Sequence, residues 1–548
     1  MKKVLSILMA VVMVVILAAC QKPAQMVLNW NIGADPLTLD PTLNGASDGG
    51  NVINQTFEGL FREINGVVLP GIATSMDTSA DGLTVTFNLR QSKWSDGSDL
   101  TAHDFIYSWK RGMDPATASE YSWIWEYTNV VGAIDAVYEG GSLDDVGIEA
   151  VDNYTLRVQL THPTPYFDSL MSFFHFMPVK QSSVEHAEGA DGIWAKKPAL
   201  AVSNGPFKLT AYTPGAGLVL EKNDNYWNKD VVKISKIEGK FLDDETTAFA
   251  GYNSGSLDFI PSVPSGEVAG LIALKLDTEF FIFELLGTYY YNFNMTLPQF
   301  QNVKLRQALA YAINREAIVD ALGAGQVPAV AFVPPGFKDH LQRDFFETAG
   351  SYGIATDASK YGEAVTLFAQ AANELGLSVE ALRLQLKNQE ILYNTSGSHQ
   401  KVAEMVQESW FQVLGIEVQI KNQEWAVFQN SRKDGNYQIA RGGWLTDFMD
   451  PSGLLAIFTT GNAYNDPKYS SSAYDLLLSE AQASTNRQVH FEKLYAAQAL
   501  LMADLPIIPV YHYTETMLVK PYVVNWGRSV LGAVDFSRAS IENKPVGK

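Results

Sequence analysis

Cysteine is almost absent from this chain, Cys20 being the only one in 548 residues. The rest of the chain therefore has no intrachain disulfide, thiolate metal site or cysteine nucleophile. Long apolar runs are equally scarce: after Ala19 no stretch approaches the roughly 20 residues that a spanning helix needs. Cations are outnumbered, 40 Lys and Arg facing 60 Asp and Glu for a formal charge of −20, and such a balance repels nucleic acid and acidic lipid. Catalytic signatures are missing too, with no G-x-S-x-G elbow, H-E-x-x-H, P-loop or G-x-G-x-x-G. The eight histidines (103, 162, 175, 186, 340, 399, 490 and 512) are dispersed, no two at an i, i+4 ligand spacing. No metal, no cofactor and no catalytic residue is expected, and the weight shifts toward binding.

What is present starts at the N-terminus. Lys2 and Lys3 precede an apolar stretch over residues 4–17, and Ala18-Ala19-Cys20 follows, the order of a secretory signal. Small residues directly before a lone cysteine read as a bacterial lipobox, so residues 1–20 are a lipoprotein signal and Cys20 carries the lipid anchor. An uncleaved membrane anchor is the alternative, and the 16 uncharged residues from 4 to 19 fall short of it. With Lys2 and Lys3 removed, 38 Lys and Arg face 60 Asp and Glu, a formal −22. The chain as a whole is 47% hydrophobic and 11% aromatic, enough for more than one domain core in the exported remainder.

Local patterns point to mixed α/β structure. Residues 27–32 read as a strand, and Pro36 and Pro41 punctuate the loop after it. Residues 83–89 alternate polar and apolar as a half-buried strand, and Asp96-Gly97 marks a turn. Residues 101–111 read as a helix capped by Thr101, with Asp104 at its third position. Apolar residues at helical spacing predict a helix over 303–322, stopping at Gly323. A second helix is predicted over 401–414, closed by Gly415 in a left-handed conformation, with a strand over 416–420.

Five strings in order make the pattern specific: Asp35-Pro36-Leu37-Thr38-Leu39-Asp40-Pro41, Phe57-Glu58-Gly59-Leu60-Phe61, Trp94-Ser95-Asp96-Gly97-Ser98, Ser203-Asn204-Gly205-Pro206-Phe207-Lys208-Leu209 and Arg441-Gly442-Gly443-Trp444-Leu445-Thr446-Asp447. Together they resemble the extracytoplasmic solute-binding proteins of oligopeptide ABC transporters, the OppA-like bacterial extracellular solute-binding family 5. The resemblance implies an α/β, two-lobed periplasmic-binding-protein-like fold of class II type with three domains and a ligand cleft between the lobes. Domain I would be discontinuous (27–47, 181–290 and 515–548), with domain II over 48–180 and domain III over 291–514. It also implies an oligopeptide ligand, delivery to permease subunits in the membrane, and a monomer.

The resemblance carries site residues with it. Asp447 stands where relatives receive the peptide's α-ammonium, in the string that also holds Trp444. An α-amino group with a pKa of roughly 7.7–8.0 is mostly charged at neutral pH and needs an anion when desolvated. The plainer alternative is that Asp447 caps a turn before Asp450-Pro451, a job for which Asp450 is better placed. Tyr121 and Trp425 match cleft-lining positions, or are core aromatics, and Asp35 matches a carboxylate of the first loop. Arg432, Arg441 and His399 match positions that meet a peptide's C-terminal carboxylate; alternatively Arg441 pairs with a domain III carboxylate and Arg432 is solvated. His399 lies where the helix near Lys401 should begin, and helix N-termini favour anions. The stretch Asn294-Met295-Thr296-Leu297-Pro298-Gln299 lacks the lysine that some relatives carry there.

The mechanism expected is binding without chemistry. An extended peptide would lie between the lobes like an added strand, its side chains in roomy, hydrated pockets, and closure would follow because the ligand touches both lobes only when they are shut. Rival readings are another solute on the same fold (an oligosaccharide, nickel or a signalling peptide) or an exported hydrolase.

Overall fold

The alternation read at residues 83–89 forms the strand Thr84–Leu89, whose Val85, Phe87 and Leu89 are buried. It belongs to a four-stranded antiparallel sheet in the order Ala73–Thr78, Thr84–Leu89, Thr155–Gln159, Ile148–Asp152. The helix Ala102–Met113 begins as expected, the Thr101 amide donating to Asp104 Oδ2 at 2.7 Å. On its buried face the Trp109 indole donates to the Phe176 carbonyl at 2.9 Å and meets the Trp125 ring edge-on at 5.8 Å. The computed structural model describes residues 26–545 except 66, 165, 277, 485 and 530 and the side chains of 191 and 265; the signal segment and Cys20 lie outside the described residues. Among the described residues no helix is long and apolar enough to cross a membrane.

Eleven strands make the main sheet: β1 (Val27–Gly33), β2 (Phe207–Thr213), β3 (Gly217–Lys222), β4 (Lys236–Phe241), β5 (Phe259–Ile260), β6 (Phe280–Phe293), β7 (Val327–Pro328), β8 (Glu390–Asn394), β9 (Gln419–Gln423), β10 (Ile439–Leu445) and β11 (Ile507–Val519). Their order is β2-β3-β4-β1-β5-β11-β6-β10-β8-β9, with β7 on β11. The two longest strands, β6 and β11, pair antiparallel from Phe280 opposite Leu518 to Asn292 opposite Ile507, so they run through both halves of the sheet. Their register breaks between Glu284 and Thr288, where the chain shifts like a bulge and re-aims its side chains. Gly287 sits in this break because a Cβ there would lie 2.3 Å from the Trp444 carbonyl oxygen.

Distant segments are tied by a buried charge cluster. Arg62 Nη1 meets Asp535 at 2.7 Å, Arg62 Nη2 meets Glu58 at 3.0 Å, and the Tyr226 hydroxyl donates to Glu58 at 2.8 Å. Asn54 and Gln55, on the helix Ser47–Thr56, donate to the Val534 carbonyl at 2.7 and 2.8 Å, which attaches that helix to the C-terminal segment.

Three local readings need correction. The helix expected over 303–322 is two, Val303–Tyr311 and Arg315–Leu322. Asn314 caps the second by accepting from the Ala317 amide at 2.9 Å, and the buried Arg315 guanidinium donates to the Ala310 carbonyl at 3.1 Å, closing the first. The helix expected from Lys401 starts earlier, at Gly397, because Ser396 is its N-cap and accepts from the His399 amide. Gly415 closes this helix at φ +68° as read, but the next strand is β9, at Gln419–Gln423. The Ile416 amide still donates to the Trp410 carbonyl at 3.3 Å, so the residues after Gly415 finish the helix before the strand begins.

Candidate ligand-binding site

Strand β10 positions the site. Along it Arg441, Gly443 and Leu445 alternate with the more buried Gly442 and Trp444, and the strand ends just before Asp447. A Cβ on Gly443 would lie 2.0 Å from the Tyr513 hydroxyl, so the glycine leaves room for Arg441 Nη2 to donate to that hydroxyl at 2.7 Å. Beyond the strand, Asp450 holds the turn: its Oδ1 accepts from the Ser452 amide at 3.0 Å and its Oδ2 pairs with His490 at 3.0 Å. Asp447 is thereby left free of that job.

Two joined cavities occupy the cleft. The first, of about 340 Å³, is lined by Asp447, Tyr121, Trp444, Arg432, Arg441 and Trp425, with Phe173, Tyr464 and Tyr513 among their neighbours. The second, of about 420 Å³, is lined by His399, Asp48, Glu245 and Glu515 and shares Arg441, Trp425, Ser47 and Asn51 with the first. Six of the eight residues expected at the site thus come together in the first chamber and His399 lies in the second. Asp35 lines neither: Tyr212 donates to it, the Gly215 amide donates at 2.8 Å, and Lys196 stands 3.6 Å away, so its carboxylate serves the fold.

Asp447 is 4% exposed. Tyr121 donates to its Oδ1 at 3.1 Å, while Oδ2 is buried without a hydrogen-bond partner. Burial holds its carboxyl well above the usual carboxylate range, and the tyrosine opposes this only in part. Around it stand aromatic rings: Tyr121 lies 5.1 Å from Phe173 and 5.3 Å from Tyr464, and Trp444 lies 4.6 Å from Tyr464. A half-satisfied carboxylate inside an aromatic box is a receptor for a cation.

The cations fare differently from one another. Arg441 has no ion pair among the described residues; its plane lies over Tyr289 at 5.1 Å and its Nε is buried without a partner. Arg432 is not solvated: it is 8% exposed and its Nε stands 2.6 Å from Asp466, which already supplies it a carboxylate. His399 lies at the start of the helix as expected, but it offers a ligand carboxylate no charge of its own. Burial, with Arg441 nearby, drives its pKa well below the usual value, and its ring packs 5.5 Å from Tyr289 as a neutral imidazole. Trp425 lines both chambers and stacks on Phe428 at 6.2 Å.

Several cleft residues carried no sequence signal. Lys433 meets Glu120 at 2.5 Å, and Glu245 accepts from Ser396 and Ser398 at 3.3 Å; neither pair is close in sequence. Tyr513 and Tyr464 read as ordinary aromatics until the fold brings them to Arg441 and Asp447. Among the described residues no group of His, Cys, Asp and Glu is arranged to hold a metal ion.

The model of bacterial extracellular solute-binding proteins, family 5 (middle region), matches residues 67–466. The chain belongs to this family. The oligopeptide-binding protein OppA of Bacillus subtilis is 37% identical to this family 5 chain over 503 residues, 89% of this chain and 88% of that one. The crystal structure of Haemophilus influenzae OppA in complex with RPPGFSPFR matches with a TM-score of 0.85 at 31% identity, covering 95% of this chain and 100% of that one. The fold is therefore the two-lobed one that the resemblance implied. The structure of the Escherichia coli murein tripeptide binding protein MppA, 29% identical, matches with a TM-score of 0.85 over 94% of this chain and 99% of that one, and a structure of periplasmic murein tripeptide binding protein MppA in its unliganded open form, also 29% identical, matches at 0.63 over 94% and 98%. At equal identity this family 5 chain thus matches the unliganded open form less well.

Proposed function

We propose that this family 5 chain is an extracytoplasmic peptide-binding lipoprotein of an ABC import system. Anchored by lipid at Cys20, it captures oligopeptides between its lobes as a monomer and delivers them to permease subunits in the membrane. Asp447 carries the reading. Its buried, half-satisfied carboxylate in an aromatic pocket fits an α-ammonium, which is common to peptides of every sequence. The names of the relatives, oligopeptide-binding and peptide-complexed, favour the same ligand.

The peptide would enter the first chamber with its amino end at Asp447 and pass Arg441, the unpaired cation at the junction with the second chamber. Arg441 is the candidate for a main-chain carbonyl or a terminal carboxylate; Arg432 and His399 are occupied or neutral. The division into 27–47, 181–290 and 515–548, 48–180, and 291–514 fits this scheme, since its limits at 290 and 514 fall inside β6 and β11, the strands that run through both halves of the sheet. Closure would bring Tyr121 of the second segment to Asp447 of the third, so that the ligand ammonium completes a site built from both sides.

Isothermal titration with matched free and N-acetylated peptides tests the reading. A charge-assisted hydrogen bond is worth about 1.5–3 kcal/mol, so acetylation should weaken binding by about 10- to 150-fold. Asp447→Ala should remove the difference, and equal binding of the two peptides by the unmodified protein contradicts the assignment.

A further inference from the structure

The cleft holds a third buried charge without a partner besides Asp447 and Arg441. Asp48, in the first turn of the helix Ser47–Thr56, lines the second chamber; both of its carboxyl oxygens are buried and no side chain bonds them, the weak pull of the Gly49 amide and its own being all the hydrogen bonding they receive. The other carboxylates around that chamber are committed or solvated. Glu245 accepts from Ser262 at 3.0 Å and from Ser396 and Ser398 at 3.3 Å, Glu515 is held by Arg528 at 2.9 Å, and Asp243 is exposed to solvent. Lys196 is the cation whose field reaches Asp48, but it bonds the Pro36 carbonyl, stands 3.6 Å from Asp35 and does not line the chamber.

Leaving a buried carboxylate unpaired is costly, and the cost is relieved when a cation arrives. Burial pushes the Asp48 carboxyl up to about 6, the amides of Gly49 and Asp48 itself and the charge of Lys196 pulling it down, Asp35 pushing it further up. We propose that the second chamber receives the cationic side chain of a lysine or arginine in the bound peptide, with Asp48 as the carboxylate that selects it. The proposal rests on the peptide reading above and adds to it a preference. Ser47 and Asn51, on the same helix as Asp48, line both chambers, so the helix spans their junction. A peptide whose amino end is held at Asp447 therefore presents an inner residue to Asp48, and not its first.

The test uses the whole mature chain and alanine hexapeptides with a free amino end, in which one lysine is walked from position 2 to position 6. Each peptide is compared with its norleucine counterpart, which keeps the length and removes the charge. The expected result is one inner position at which lysine binds at least about tenfold more tightly than norleucine at low salt. Asp48→Asn should bring that ratio to within about twofold. The comparison of lysine with norleucine needs no variant, so a poorly folding substitution does not decide the outcome. Equal binding of lysine and norleucine at every position overturns the proposal, as does a lysine preference that survives Asp48→Asn. If none of the hexapeptides binds, the peptide reading itself falls and the proposal with it; if they bind without preference, only the proposal falls.

Discussion

Asp447→Asn should make the unliganded protein more stable while it disables binding. The native carboxyl is buried, with one hydrogen bond from Tyr121 and one oxygen unpartnered, and burial raises its pKa well above the usual carboxylate value. A raised carboxyl binds a proton more tightly in the folded chain than in the unfolded one. Native stability therefore falls as pH rises from the unfolded value of about 3.9 through the raised folded value, and the deficit is complete above it. Asparagine keeps the shape and the acceptor for Tyr121 without the charge. We expect a gain of about 1 kcal/mol near neutral pH, the size common for relieving a functional site, or about 1 °C in Tm for a chain of this length. The gain should shrink toward pH 4. Ligand then reverses the ranking: at about a hundred times the Kd, the native protein gains about 2.7 kcal/mol, whereas a variant binding a hundredfold less tightly gains about 0.4 kcal/mol. Thermal scans from pH 4 to 8, with and without a free-amino peptide, read both effects. A variant that is less stable without peptide, or that gains as much from peptide as the native chain, refutes the reasoning.

Three further outcomes follow from the same geometry. Lys433→Met removes the 2.5 Å pair with Glu120, and because both side chains are partly exposed the loss in peptide affinity should be about 0.2–1 kcal/mol and should vanish at high salt, read by titration at two ionic strengths. Asp466→Ala strands the buried Arg432 guanidinium and should cost about 3–5 kcal/mol in urea unfolding, most of it recovered when Arg432→Leu is added; a cost below 1 kcal/mol would show that the pair is not desolvated. Histidine NMR titrations should show His399 with a pKa well below the usual value and His175 titrating only near pH 3, both lowered by burial, with His490 raised by Asp450 against its own burial. Since the folded pKa of His490 is raised, its pairing contributes fully below about 6.5 and is lost as pH rises through the folded value.

Elements governed by neighbouring residues were legible in the sequence. The capping box at Thr101 and Asp104, the Gly415 helix end and the alternation before Leu89 are short-range signals, and the structure realises each within a few residues. Where the reading slipped, local caps at Ser396 and Asn314 and the helix-closing Ile416 amide were overlooked, and in one case a distant group contributed. The 303–322 helix breaks at Asn314 partly because Arg315 turns back to the carbonyls of Ala310 and Pro509, and no local pattern announces that. The site divides in the same way. Asp447 could be found because it sits in a distinctive string, and its freedom follows from Asp450 doing the capping next door. The neutral state of His399, the engagement of Arg432 by Asp466 and of Asp35 by Tyr212, and the isolation of Asp48 depend on tertiary neighbours that the local sequence does not show, Tyr212 lying 177 residues from Asp35.

The most direct test of the central claim is to purify the mature chain under gentle conditions, denature it, and identify what it releases by mass spectrometry. The account predicts a mixture of peptides of varied sequence, each with a free amino end. Release of sugars or a metal ion, or of peptides with blocked amino ends, would contradict it and leave Asp447 without the ligand role proposed for it.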